Sequence, residues 1–182
     1  PEPHRYESLS NEVRALCEDT EHNLWVGLKD GKIRIYDKNR TELGYFTETG
    51  TISHTGVPLK GNTYCIFQDS KHNIWIATKG EGLVKARPQG GGHYKLTRYC
   101  HSRDDIYSLS DNNVYCVYED VKGRIWVATF GGGINYLTHN RGGREIFVNH
   151  RNNLKGFPID NCHKVRFVTG DHRGNIWIAT TV

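Results

Sequence analysis

Four copies of a short apolar segment centred on tryptophan constrain the fold of this chain more than any other feature. The copies read NLWVGL (23–28), NIWIAT (73–78), RIWVAT (124–129) and NIWIAT (175–180). They contain all the tryptophans of the sequence, which are Trp25, Trp75, Trp126 and Trp177, spaced 50 or 51 residues apart. Self-similarity at this period is typical of an array of supersecondary units that stack on one another.

The residues beside each tryptophan predict a strand that is covered on both faces. The preceding residue is always branched and apolar, the following residue is β-branched, and the next one is small: Gly27, Ala77, Ala128 or Ala179. An apolar run without polar alternation indicates burial on both faces. A small residue at one repeated position indicates close approach by a neighbouring unit. We therefore expect the sheets to pack face to face.

An aspartate stands six residues before each tryptophan, namely Asp19, Asp69, Asp120 and Asp171. The turn between the two carries His or Gly at its third place, which predicts a left-handed backbone there. The carboxylate of such a turn can accept hydrogen bonds from backbone N–H groups. Four carboxylates also invite a catalytic or metal-binding interpretation. One aspartate per repeat is what a structural turn requires, so we interpret the four aspartates and the four tryptophans as structural.

Three further strands are predicted in each full repeat. One precedes the aspartate (13–19, 63–69, 114–120 and 165–171), and two follow the tryptophan strand (33–37 and 42–47, 83–87 and 94–99, 134–138 and 144–150). Four antiparallel strands in about 50 residues are typical of a β-propeller blade. The predicted fold class is all-β, with blades at about 8–50, 60–100 and 110–150 and a partial blade at 161–182. We treat residues 1–182 as one segment of three and a half blades from a larger, seven-bladed propeller.

Composition limits the class of partner. The net charge is +4 and the charges are interspersed, whereas a nucleic-acid reader normally shows a basic stripe, so we predict no nucleic-acid binding. No run of 18 apolar residues is present, so we predict no membrane span. The chain begins with Pro1 and contains no methionine, which suggests a segment whose targeting sequence lies elsewhere.

Cysteine and histidine show no metal or redox motif. Cys65 and Cys116 occupy one repeat position, where the fourth copy has Phe167, so we expect them to be small buried hydrophobes. A disulfide among Cys17, Cys100 and Cys162 stays open, as does a zinc site assembled from histidines of different blades. The prediction is no metal site, no cofactor and no catalytic residue.

The string EDVKGRIWVATFGGGINYL (119–137), preceded by SLSDNNVYCVY (108–118), resembles the two-component regulator propeller repeat. The resemblance covers nearly the whole chain and is strongest in the third copy. It implies the periplasmic sensor region of an inner-membrane hybrid two-component system, with the histidine kinase elsewhere in the parent chain. It also implies a non-catalytic segment that responds to breakdown products of complex polysaccharides.

The ligand is expected on the face where variable loops meet the middle-strand turns. Those loops are 48–62, 100–112 and 151–163, and the turns are 29–32, 79–82 and 130–133. The candidate ligand-binding residues are Arg103, Asp104, Asp105, Tyr107, Asn152, Asn153, Lys155 and Asp160. The expected partners are an oligosaccharide or other small ligand, and the remaining blades of the parent sensor or a second copy in a homodimer.

Two alternatives stay open. A propeller enzyme, such as a lyase or glycosidase, would converge polar groups at the central channel, but it needs paired acid and base groups at non-equivalent positions. A protein-interaction scaffold would leave recognition to other blades. An incomplete ring would leave apolar faces and strand edges bare, so we also expect the isolated chain to associate.

Overall fold

The computed structural model describes residues 12–152 and 162–181, and every helix or strand within them is a β-strand. The first sheet contains β1 (Val13–Glu18), β2 (Leu24–Leu28), β3 (Ile33–Tyr36), β4 (Glu42–Phe46) and β5 (Ile52–Ser53). The second contains β6 (Asn62–Gln68), β7 (Ile74–Lys79), β8 (Leu83–Gly90) and β9 (His93–Tyr99). The third contains β10 (Val114–Glu119), β11 (Ile125–Thr129), β12 (Gly133–His139) and β13 (Glu145–Val148), and the fourth contains β14 (Val165–Gly170) and β15 (Ile176–Thr180).

Consecutive strands of each sheet pair antiparallel in chain order, which is the connectivity of a propeller blade. The predicted all-β class and its antiparallel blades are confirmed. With no helix in the described ranges, none there could cross a membrane.

One strand lies where the sequence predicts only a loop. Strand β5 pairs with β4 within 48–62, and Leu59 beyond it is buried against the first core. The turn into β5 is closed by threonines, since the Thr47 hydroxyl bonds the Thr51 hydroxyl at 2.8 Å. Thr and Ser carry no apolar alternation, so a two-residue strand of this kind leaves no periodic signal.

Neighbouring sheets pack face to face, with the tryptophan side of one sheet against the side of the next sheet that carries β-branched residues. In the first core, the face bearing Trp25 packs on the branched face of the second sheet, which presents Ile66 and Ile76. Trp75 packs in the same way on Val117 and Val127 of the third sheet. Trp126 packs on Val168 of the fourth sheet, with Ile176 and Ile178 beside it. Each blade therefore covers the tryptophan face of the blade before it.

Close approach between blades explains the small residue after each tryptophan. A Cβ atom placed on Gly27 would lie 3.0 Å from Cγ2 of Thr63, in the next blade. Ala77 and Ala128 are fully buried at the equivalent places. The inner strands β1, β6, β10 and β14 lie side by side in that order.

The fourth tryptophan face is bare. Trp177 is 62% exposed, whereas Trp25, Trp75 and Trp126 are 0%, 1% and 6% exposed. Phe167, on the same face of β14, is 54% exposed. No further sheet of the described residues covers this face, which makes it the largest contrast among the four repeats.

Each aspartate turn joins the backbone to the core tryptophan. In the second repeat, Asp69 Oδ1 accepts hydrogen bonds from the N–H groups of Lys71 and Asn73 at 2.9 and 2.8 Å. Asp69 Oδ2 accepts from the indole Nε1–H of Trp75 at 2.8 Å. The other three repeats make the same three bonds. The third turn residue is left-handed in every copy, as expected, with φ of 64°, 63°, 72° and 82° at His22, His72, Gly123 and Gly174.

All five cysteines are free thiols, so the disulfide left open by the sequence does not form in this structure. Cys116 is buried and Cys65 is partly buried beside the third core. Cys116 Sγ lies 3.5 Å from the carbonyl oxygen of Val168 in the next blade. Both residues pack between neighbouring inner strands, in agreement with the prediction of small hydrophobes.

Candidate ligand-binding site at the inner-strand bulges

Every inner strand carries a β-bulge at the same repeat position. In the first sheet Val13 pairs with Leu28 and Ala15 pairs with Gly27, so Arg14 between them has no partner on β2. The same shift leaves an unpaired residue in β6, β10 and β14; these are Tyr64, Tyr115 and Arg166. A bulge of this kind bends the strand and re-aims one side chain, and such bulges are frequent beside functional sites.

The four bulge residues contact one another across the blades, and we call this set the bulge ladder. The guanidinium of Arg14 lies 5.0 Å from the ring centre of Tyr64, and its Nη1 donates to the Tyr64 hydroxyl at 2.7 Å. The rings of Tyr64 and Tyr115 are 4.5 Å apart at 37°. The guanidinium of Arg166 lies 5.7 Å from the ring centre of Tyr115. The ladder thus runs from a cation through two phenol rings to a second cation.

Phe130 widens the ladder at the Arg166 end. This residue follows β11, and its ring stacks on Tyr115 with centres 5.2 Å apart. Arg166 lies 4.9 Å from the Phe130 ring centre, and Lys164 Nζ lies 6.0 Å from it. A guanidinium and an ammonium group therefore both lie against this pair of stacked rings.

The ladder lies at the end of the blades where the middle-strand turns meet the long loops. The N–H groups of Gly131 and Gly133 both donate to the carbonyl of His163, just before β14, at 2.7 and 3.0 Å. Gly80 and Gly82 make the equivalent bonds to Asn112, just before β10. Gly82 requires glycine, because its φ is +77° and a Cβ atom would lie 2.2 Å from the carbonyl oxygen of Tyr99. These bonds fix the backbone on both sides of the bulges.

The ladder is electropositive. Within the part of the chain that the structure describes, Arg14, Lys164 and Arg166 form no ion pair with a carboxylate. Glu12, at the repeat position of Lys164, is bonded to Lys29 at 3.0 Å. Burial, and then the neighbouring Tyr64, raise the pKa of Tyr115, so its phenol stays neutral near pH 7.

Several of the candidate ligand-binding residues predicted from the sequence hold a loop in place. Asp105 accepts a hydrogen bond from the guanidinium of Arg144 and one from the N–H of Tyr107. Asn152 Nδ2 donates to the carbonyls of Ile106 and Phe147, both at 2.8 Å. These bonds tie the loop 100–112 to the end of β13.

Arg151 completes this anchoring and was not singled out from the sequence. Its guanidinium donates to the carbonyls of Ser102 and Asp105 at 2.8 and 3.3 Å, and to Ser108 Oγ at 3.1 Å. Arg103 and Asp104 are exposed on the same loop. Asn153, Lys155 and Asp160 lie outside the described residues. A ligand-binding role for the predicted set stays a prediction.

A polar cleft, separate from the bulge ladder, lies between the outer strands of the second and third sheets. It has a volume of about 170 Å³ and is lined by Lys85, Arg87, Lys95, Thr97 and Glu145. Glu145 accepts hydrogen bonds from Lys85 at 2.8 Å and from the hydroxyl of Tyr99. Burial would raise the pKa of Glu145, but these two donors hold it below its usual value. The carboxylate is thus committed to an ion pair between blades.

No group of three His, Cys, Asp or Glu side chains suited to a metal ion occurs in residues 12–152 and 162–181. The bulge ladder itself was missed from the sequence, although a signal was present. The second position of every predicted inner strand (13–19, 63–69, 114–120 and 165–171) holds Arg or Tyr, which are long side chains with a polar end. That column repeats as regularly as the tryptophans do.

Stacked antiparallel blades with adjacent inner strands define a β-propeller arrangement. Within that class, residues 7–30, 58–80 and 108–131 match the family model of the two-component regulator propeller. The chain therefore carries two-component regulator propeller repeats, and the resemblance of its sequence is confirmed.

Comparison with solved structures supports the same fold. The chain is similar to the extracellular domains of two hybrid two-component systems of B. thetaiotaomicron, each 24% identical, with TM-scores of 0.65 and 0.61. The similarity covers 98% and 93% of this chain but 22% of each of those chains. Virginiamycin B lyase from Staphylococcus aureus is 14% identical, with a TM-score of 0.58 over 95% of this chain and 50% of the lyase. At these identities the likeness shows the fold alone.

A curated histidine kinase of Formosa agariphila is 30% identical over 71 residues. The match covers 39% of this chain and 5% of the kinase. The chain thus spans a small part of the length of the histidine kinase and of the two hybrid two-component domains that it resembles.

Proposed function

We propose that this chain is a non-catalytic recognition segment of an extracytoplasmic two-component sensor, and that it binds oligosaccharides released from polysaccharides. The observation that carries the proposal is the bulge ladder, in which four successive inner strands each depart from regular pairing to present an Arg or Tyr to the same site. The regulator repeats, and the hybrid two-component systems among the similar structures, support the sensor role.

The chemistry of the ladder suits a sugar. Binding sites for small molecules combine apolar and aromatic walls with a few placed polar groups. Tyr64, Tyr115 and Phe130 supply a run of stacked, partly exposed rings, whose edges can contact the C–H groups of a sugar ring. Arg14 and Arg166 supply N–H donors for ring hydroxyls and oxygens, and a guanidinium carries five of them.

Recognition without catalysis is favoured over an enzymatic role. An enzyme of the lyase or glycosidase type needs a general acid and a general base beside the bound substrate. The bulge ladder and Phe130 contain no carboxylate and no imidazole, and Glu12 nearby is bonded to Lys29. The shared fold with virginiamycin B lyase carries no activity with it.

The bare face of Trp177 has the composition of the three faces that are covered by a following blade, so we propose that a further blade of the parent sensor or of a second copy covers it. The segment is proposed to lie in the periplasm, outside the inner membrane that anchors the parent sensor.

Binding to an array of defined oligosaccharides tests the proposal. The purified chain is applied to neutral and acidic saccharides of two to six units, and bound saccharides are recovered and analysed by mass spectrometry. We expect retention of a restricted set of saccharides, each recovered intact. Absence of retention of every saccharide, or recovery of cleaved products, would contradict the proposed function.

A further inference from the structure

We infer that the bulge ladder selects acidic saccharides, and that Arg166 is the residue that binds the carboxylate or sulfate group of the ligand. This inference rests on the proposed function and adds the class of ligand and the specificity-determining residue. It follows from the way in which Arg166 is held, from the charges around it, and from the contrast with the other cations of the chain.

Arg166 lies against a pair of stacked aromatic rings. Its guanidinium carbon is 5.7 Å from the ring centre of Tyr115 and 4.9 Å from that of Phe130. A contact of this kind holds the guanidinium through the aromatic rings and does not use its N–H donors, which can bind an anion. Among the described residues none accepts a hydrogen bond from the Arg166 side chain, which is exposed. The group is oriented before any ligand arrives, and its donors are unused.

Two cations that lie between blades, Lys85 and Arg98, are arranged differently. Lys85 is paired with Glu145 at 2.8 Å, and Arg98 is paired with Glu48 at 3.2 Å. Arg98 also donates to backbone carbonyls. These side chains hold two blades or a turn together, so their charges are already neutralised. Arg166 lies against two aromatic rings and has no neutralising partner within residues 12–152 and 162–181, which is the arrangement expected of a site for an anion.

The two other cations of the site also favour an anionic ligand. Lys164 Nζ lies 6.0 Å from the Phe130 ring that supports Arg166, and Arg14 stands at the far end of the ladder. Two rings separate the cationic ends, so a chain of acidic sugars meets a cation at each end and aromatic surface between them. Carboxylate and sulfate each present a pair of anionic oxygens that a guanidinium can bind through two parallel hydrogen bonds.

Calorimetric titration with matched saccharides tests the inference. The probes are trimannuronate, which carries carboxylates, mannotriose, which is its neutral counterpart, and a sulfated mannotriose. We expect both acidic probes to bind at least about tenfold more tightly than mannotriose, a difference of about 1.4 kcal/mol. The tighter of the two acidic probes identifies whether carboxylate or sulfate is preferred. Added salt should weaken the acidic probes and leave mannotriose unchanged.

Substitution of Arg166 assigns the effect to the ladder. Arg166→Gln should lose about tenfold in affinity for the acidic probes and nothing for mannotriose, whereas Arg166→Lys should lose less because it keeps the charge. Arg173→Gln is the matched control, since Arg173 is an exposed arginine in the turn after β14. Arg173→Gln should bind as the wild type does. Circular dichroism shows whether each variant is folded.

The outcomes separate this inference from the function on which it rests. Equal affinity for trimannuronate, sulfated mannotriose and mannotriose, or an Arg166→Gln variant with unchanged affinity for the acidic probes, would overturn the inference and leave oligosaccharide recognition standing. Failure of the wild-type chain to retain any saccharide on the array would overturn both.

Discussion

At the scale of single residues, the hydrogen bond from each tryptophan to its aspartate joins a surface turn to the space between blades. Asp120 accepts four hydrogen bonds. Two come from the backbone N–H groups of Lys122 and Arg124, one from Arg124 Nε and one from Trp126 Nε1. An unpaired buried donor costs free energy, so loss of the carboxylate affects the turn and the core together. The turn was predictable from the sequence, because its residue types recur, whereas the indole bond depends on a side-chain direction that no spacing shows.

Asp120→Ala should lower the free energy of unfolding by about 1–2 kcal/mol, because the donors of the turn and the indole lose their acceptor. Denaturant unfolding measures the loss. Asp171→Ala is the control, since Asp171 makes the equivalent bonds beside the exposed Trp177 and should cost less. An Asp120→Ala variant that kept its unfolding midpoint but lost saccharide binding would show that this aspartate is a ligand-binding residue.

The same carboxylate should make stability depend on pH. Burial acts to raise the pKa of Asp120, but the bonds from Trp126 and the turn hold it below its ordinary value of 3.8. A group with a lowered pKa in the folded state stabilises the protein above its unfolded pKa, and this stabilisation is lost as the pH falls through the folded value. The difference in unfolding free energy between wild type and Asp120→Ala should therefore shrink below about pH 4. A difference that stayed constant from neutral to strongly acid pH would contradict this.

At the scale of elements, blade stacking follows from the two faces of each sheet. The sequence predicted face-to-face packing because a small residue follows the β-branched residue after every tryptophan. Ala128 is fully buried in the core that joins the third and fourth sheets, together with Val165 and Val168. Ala179 occupies the same repeat position on the bare face, where it is exposed. The same repeat position is therefore buried in the third blade and exposed in the fourth.

Ala128→Leu should be destabilised by about 1–3 kcal/mol, because the contact between two sheets has no space for three more carbon atoms. Ala179→Leu makes the same chemical change on the exposed face and should leave the unfolding midpoint unchanged. Denaturant titration of both variants gives the comparison. Equal midpoints for wild type and Ala128→Leu would contradict the stacked-blade arrangement.

The bulges mark the limit of what the sequence could predict at this scale. Strand position and blade order follow from apolar runs and turn residues. The repeated column of Arg and Tyr is visible in the sequence, but it does not show that these residues are unpaired, because the register of two strands is known only from the structure. The loop residues singled out instead, such as Asp105 and Asn152, bond backbone groups nearby: Asp105 accepts from the N–H of Tyr107, and Asn152 donates to the carbonyl of Phe147.

At the scale of the whole molecule, we expect the bare tryptophan face to govern association. Trp177 and Phe167 present an apolar surface of the kind that the preceding three blades cover. Exposed apolar faces and strand edges favour contact with other molecules. The chain should therefore self-associate at micromolar concentration, as sedimentation velocity can measure.

Phe167→Ser should reduce this association, because it removes an aromatic ring from the bare face. Val57→Ser is the control, since Val57 is an apolar residue that is 70% exposed in the loop between β5 and β6. Val57→Ser should sediment as the wild type does. A wild-type chain that remained a compact monomer at all concentrations and unfolded cooperatively would contradict an exposed docking face.

The most direct test of the account is a map of the backbone amides that a bound saccharide protects from hydrogen exchange. With a saccharide that the array identifies, we expect protection at the starts of β1, β6, β10 and β14 and in the turn 130–133, where the bulge ladder and Phe130 lie. The loop 100–112 should exchange as it does without ligand. Protection confined to that loop, with no change at the inner-strand bulges, would place recognition at the residues predicted from the sequence and contradict the ladder as the binding site.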